Sequence, residues 1–252
     1  MTHEERVALA HELTAALLQR HGEEAIVAVG AHGPVARGDD GDESGLDLAV
    51  ITARPDVEVP DRLLRHRGIV VDLGAITPDA YLEDAGHIGP AWPLAADQYV
   101  NHLALHDPGE FFHKLRHVHE AAVEQSPPAA FQAAAGYDLA QLVAWEARAR
   151  DAELAGDLAV ASLAIKEAAV LAMLVVGLHT RTAYPDLAGA VRATAATEVA
   201  GPGFPAAYRR LLDPTVEPAG QVLALGRVLD ALQELARREG IPFQTDDLDG
   251  FL

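Results

Sequence analysis

Apolar positions make the first division of the chain. Val7, Leu9, Leu13, Leu17 and Leu18 recur near helical spacing, behind a capping-box pattern from Thr2 to Glu5 and ahead of Gly22, so residues 3–20 are expected to form a helix. Shorter apolar runs follow. Residues 25–29 read as a strand that breaks at Gly30 and Gly33; residues 46–51 and 69–76 read as two more. Each of the later strands carries one acid, Asp47 between Leu46 and Leu48, and Asp72 between Val71 and Leu73. A period of two puts each aspartate on the face opposite its neighbours, so adjacent strands would let the two share one surface. Residues 55–60 read as a linker and 61–67 as a short charged segment. Helices are expected over 78–85, 95–105 and 110–125, with a Gly/Pro loop over 86–93.

Pro127-Pro128 is the clearest boundary. Beyond it the spacing is helical over 129–155, 157–179, 186–197, 204–212 and 218–238, without an alternating strand or internal repeat. The expected fold class is α/β (α+β), a mixed-sheet domain over residues 1–126 followed by a helical domain over 127–252. The apolar stretch 157–180 is interrupted by Lys166 and Glu167, which favours a buried helix over a membrane span.

Chemistry concentrates in residues 25–52. A strand, a glycine-bearing turn with Arg37-Gly38, an acidic loop from Asp39 to Ser44 and a strand with an embedded acid could together hold phosphate and metal. Asp40-x-Asp42-x-Ser44-Gly45 also fits the opening of an EF-hand loop, but the twelfth position is Ile51 and a strand follows, which excludes that reading. On the helical half, Glu146 and Arg150 fall on the apolar stripe of Leu139, Leu142 and Val143, either as a plain i,i+4 ion pair or as a working one. His32 precedes the Gly33-Pro34 turn and could exchange a proton near neutral pH. His113, His117 and His119 read as solvated surface residues.

The layout resembles the nucleotidyltransferase signature of Gly-Ser, then Arg, then Ser-Asp-x-Asp/Glu. Met1-Thr2 through Glu5-Arg6, Trp92-Pro93-Leu94 and Gly177-Leu178-His179 are similar to the kanamycin (aminoglycoside 4′-O-) nucleotidyltransferase family. The resemblance implies a nucleotidyltransferase-type mixed sheet, a helical C-terminal domain and a homodimer. It places Asp47 and Asp72 at two metal-carboxylate positions, Arg37 and Ser44 at signature positions, and Trp92 in the substrate half of a cleft; Tyr99 and His102, on the helix expected after Trp92, are candidate cleft residues by their position. It also gives Glu146 the general-base position and Arg150 that of a partner lysine. Two positions depart: Gly33-Pro34 stands for Gly-Ser, and Ser44-Gly45 for Ser-Asp. A serine for phosphate and a first metal carboxylate are thereby missing.

Composition narrows the partners. The chain has 38 acidic against 19 basic residues, a net charge of −19, which repels a polyanion and argues against nucleic acid. The absence of cysteine excludes disulfides, zinc thiolates and cysteine nucleophiles. A chain start without an apolar signal core leads to the expectation of a cytoplasmic protein with a small-molecule substrate and no membrane partner. Three functions fit. One is an enzyme repurposed for metal-independent acid–base chemistry, as in natural-product biosynthesis, with no cofactor and with Glu146, Arg150 and His32 as its working groups. Another is an aminoglycoside nucleotidyltransferase using Mg and ATP. The third is a non-catalytic binder of a cationic small molecule.

Overall fold

The computed structural model describes residues 1–59 and 62–243. Pro60 and Asp61, at the junction of the expected linker and charged segment, and residues 244–252 of the expected helical domain lie outside the described residues. In chain order the elements are α1 (His3–His21), β1 (Ile26–His32), α2 (Gly33–Arg37), β2 (Leu46–Thr52), β3 (Arg62–His66), β4 (Ile69–Ile76), α3 (Pro78–Ala85), α4 (Trp92–Ala95), α5 (Asp97–Val100), β5 (Leu103–His106) and α6 (Phe111–Gln125). The helices α7 (Pro128–Leu154), α8 (Leu158–Thr180), α9 (Leu187–Ala196), α10 (Phe204–Leu212) and α11 (Pro218–Glu239) complete it. Two compact units result, Met1–His87 with Ala95–Gln125, and Ile88–Leu94 with Ser126–Leu252.

The first unit is built on a five-stranded mixed sheet ordered β3-β4-β2-β1-β5, in which β2 and β4 run parallel and the other neighbours antiparallel. Strand alternation sorts its side chains onto two faces. Val29, Ala31, Leu46, Leu48, Val50, Val71 and Leu73 pack with Leu9 and Ala10 of α1. Ala28, Ala49 and Ile51 face the other way, toward Tyr81, Tyr99, Phe111, Phe112 and Leu115. The expected capping box closes α1, with Thr2 Oγ1 accepting from Glu5 N and a Glu5 carboxylate oxygen accepting from Thr2 N at 2.7 Å.

Three expectations are corrected. Residues 95–105 do not form one helix: a single turn, α5, ends at Asn101, and β5 follows as the far edge strand. Leu103 and Leu105, two apart, both pack toward the α1-side core, so the local period is that of a strand. The charged segment becomes the near edge strand β3, because Arg67 and Gly68 both adopt positive φ (49° and 87°), the geometry of a tight two-residue hairpin. His119 is buried rather than solvated, and its Nδ1–H donates to the Ala85 carbonyl at 2.9 Å.

In the second unit, α7 and α8 form a long hairpin against which α10 and α11 pack. By length and composition α8 could cross a membrane, yet over half of its most apolar window is buried against other helices of this unit. Residues 88–94 fold with these helices. The Tyr184 N–H donates to the Pro93 carbonyl at 2.6 Å, and the Trp92 ring meets Phe131 edge-on at 5.2 Å. A Cβ on Gly177 would lie 2.7 Å from the Cβ of Pro93, so two segments singled out in the sequence pack directly on one another.

Candidate functional site

The sheet lines up three residues far apart in sequence. His32 of β1 pairs in register with Asp47 of β2, and Asp47 with Asp72 of β4. Registered neighbours point to one face at roughly 5 Å spacing, so an imidazole and two carboxylates form a row. The chain turns immediately after His32. Gly33 takes a φ of 68° to open α2, and a Cβ there would sit 2.6 Å from Asp47 Oδ2, so the Asp47 carboxylate lies against bare backbone. Burial pulls the His32 imidazole below its usual pKa against the opposing pull of Asp47, Asp97 and Asp72. Burial likewise lifts the Asp47 carboxyl, with His32 working against the rise and Asp72 adding to it.

The flanking groups are fixed. Arg37 forms ion pairs with Asp97 and with Asp39 (3.1 Å), and its Nη2 is buried without a hydrogen-bond partner. His102 stacks on Phe112 with ring centroids 4.4 Å apart and lies 6.2 Å from the His32 ring. Burial holds His102 down to about 3, and its Nε2 has no hydrogen-bond partner. Tyr99 is a core residue, packed between Tyr81 and His119 at centroid distances of 5.7 and 5.1 Å. Ser44 serves its own loop, its Oγ accepting from the Gly41 N–H at 2.9 Å. That loop is clamped from α1. Arg6, 1% exposed, donates to Asp40 Oδ2 (2.8 Å) and to the carbonyls of Gly41, Asp42 and Ser44 (2.7, 3.0 and 3.1 Å), while His3 Nδ1 lies 2.6 Å from Asp40 Oδ1.

In the helical unit, Glu146 is 6% exposed and takes a hydrogen bond from the mostly exposed Arg150. A Cβ at Gly226 of α11 would lie 3.8 Å from Glu146 Oε1, so the carboxylate sits under that helix. Asp138, on the same α7 stripe, escaped the sequence reading. It is 2% exposed, its Oδ2 has no hydrogen-bond partner, and burial raises its pKa to about 7. Its place one turn before Leu142 was the available signal.

No protein-family model matches the chain. Two curated relatives, both named aminoglycoside nucleotidyltransferase (4′), from Staphylococcus aureus and from Bacillus sp, are each 24% identical to it over 185 residues, covering 73% of this chain and 71% of theirs. The crystal structure of a nucleotidyltransferase-like protein from Exiguobacterium sibiricum 255-15 matches with a TM-score of 0.53 at 14% identity, covering 91% of this chain and 75% of that one. The fold is nucleotidyltransferase-like.

In this nucleotidyltransferase-like fold the donor set for a two-ion phosphate clamp does not fit. Asp47 and Asp72 share a face, but among the described residues no three His, Asp or Glu side chains converge to hold a metal. Position 45 has neither a carboxylate nor room for one, since a Cβ there would meet the Val70 carbonyl oxygen at 2.9 Å. Pro34 offers the turn no N–H with which to cradle phosphate.

Proposed function

We propose that this nucleotidyltransferase-fold protein is an enzyme of metal-independent acid–base chemistry on a small molecule, in a setting such as natural-product biosynthesis. The observation that carries the reading is the closure of position 45 by the β4 backbone, which leaves the row of His32, Asp47 and Asp72 with too few oxygens for two cations. Its geometry suits proton transfer instead. His32, kept neutral by burial, accepts a proton from a substrate hydroxyl or amine. The neighbouring Asp47 then stabilises the imidazolium, and exposed Asp72 holds the substrate's polar group. Glu146, oriented by Arg150, is a second candidate base, on the helical unit.

A second reading is favoured by the two aminoglycoside nucleotidyltransferase relatives and by the retained Asp47, Asp72 and Arg37: transfer of a nucleotide to an aminoglycoside. Calorimetry with ATP, with and without magnesium, together with a pyrophosphate assay in the presence of kanamycin, separates the two. The proposal expects no magnesium-dependent ATP binding and no pyrophosphate. Either signal overturns it in favour of the transferase.

A further inference from the structure

The edge strand beside Asp72, β3, is charged at Arg62, Arg65 and His66, yet it sets an exposed leucine directly opposite that aspartate. Leu63 of β3 pairs in register with Asp72 and is 67% exposed, and Val70, two residues before Asp72 on β4, is 37% exposed. Both share the face of Asp72 and Asp47. Two residues beyond Asp72 is Gly74, where an added Cβ would meet nothing within 4 Å. The floor from Val70 over Asp72 to Gly74 is therefore open for about 13 Å along β4 and one strand spacing, about 5 Å, across to Leu63. Single exposed aliphatic residues are common. Here two flank one exposed carboxylate, next to the proposed proton-handling row.

Charge decides which polar group such a floor receives. Asp72 and Asp47 are the acids on this face. Arg37 is already held by Asp97 and Asp39. Arg65, paired with Val70, lies at the hairpin end, where its Nη1 donates to the Gly68 carbonyl at 3.5 Å. An anion would face the two carboxylates, with the exposed Arg65 guanidinium opposite Val70 rather than opposite Asp72. A polycation with polar groups all round gains nothing from Leu63 and Val70. We infer that Leu63 and Val70 form a shelf for the hydrocarbon part of a small amphiphilic amine, whose ammonium group pairs with Asp72. The inference rests on the acid–base reading above, and it names the substrate class of that site.

The test uses dansylcadaverine, a primary amine joined to an apolar aromatic body, titrated by fluorescence into the full chain, with kanamycin as competitor. Saturable binding is expected, displaced weakly by kanamycin. It should weaken about five- to tenfold in Leu63→Ser and in Val70→Ser and at least fivefold in Asp72→Asn. All three positions are exposed, and unchanged thermal melting confirms that each variant is folded. No binding to the wild type overturns the shelf, as does equal affinity in the Leu63 and Val70 variants. Light scattering that shows a dimer dissociated by Leu63→Ser also overturns it, since the shelf then belongs to a second copy. These failures differ from failure of the acid–base reading, which is judged by magnesium-dependent ATP binding and by pyrophosphate release.

Discussion

Asp40 and Asp138 are both buried carboxyls, one in each unit, and their pKa values move in opposite directions. Burial pushes Asp40 up, but hydrogen bonds from His3 and Arg6 overcome that push and hold it below the ordinary carboxylate range. Asp138 sits among the apolar residues of α7 with one oxygen unpartnered, and burial alone carries it up to about 7. Burial is common to the two; partners decide the charge. The sheet unit brings such partners from afar, since Arg6 reaches a loop more than thirty residues away. On α7, Glu146 draws its cation from the next turn of its own helix, and Asp138 draws none.

The strongest way to break this contrast is Arg6→Met, which leaves Asp40 without its buried cation. A loss of about 3–5 kcal/mol is expected at pH 7, read by urea denaturation. Because the folded-state pKa of Asp40 is depressed, its contribution is present above the unfolded value near 4 and fades as pH falls through the folded one. The penalty should therefore shrink under acid. Asp138→Asn sharpens the contrast from the other side. Asp138 binds its proton more tightly when folded, so its cost to stability grows as pH rises from about 4 toward 7. The variant should be more stable by roughly 2 kcal/mol at pH 8 and show no gain at pH 4; equal gains at both would assign the effect to packing. The smallest expected effect is that of Gly45→Asp. It adds an acid to a face that already holds two, but its Cβ meets the Val70 carbonyl, so a loss of about 1–2 kcal/mol is expected. No magnesium-dependent ATP binding should appear by calorimetry.

Much of this was legible from alternation and spacing. The strands around Asp47 and Asp72, their common face, the helical second half and the nucleotidyltransferase-like fold all follow from local pattern and the residues that carry the resemblance. The strand β5 was not legible, because a four-residue apolar segment after a helical turn suits either period. Nor was β3, which read only as a short charged segment because its pairing depends on the Arg67-Gly68 hairpin that pins it to β4. The alignment of His32 with Asp47 depends on the β1–β2 register, and Arg6 on a long-range approach, neither of which a single strand or helix pattern encodes. The aspartate pairing Arg37 with α5 and the aliphatic residues flanking Asp72 were hidden for the same reason: their neighbours come from other strands and turns.

The tight seat of Gly45 against β4 also bears on which sequences the sheet can accept. An acid placed there by one codon change has to force back the strand that carries Asp72. Any single-step route to a carboxylate at this point of the sheet therefore runs through a less stable protein, so the backbone of one strand limits which side chains its neighbour can carry.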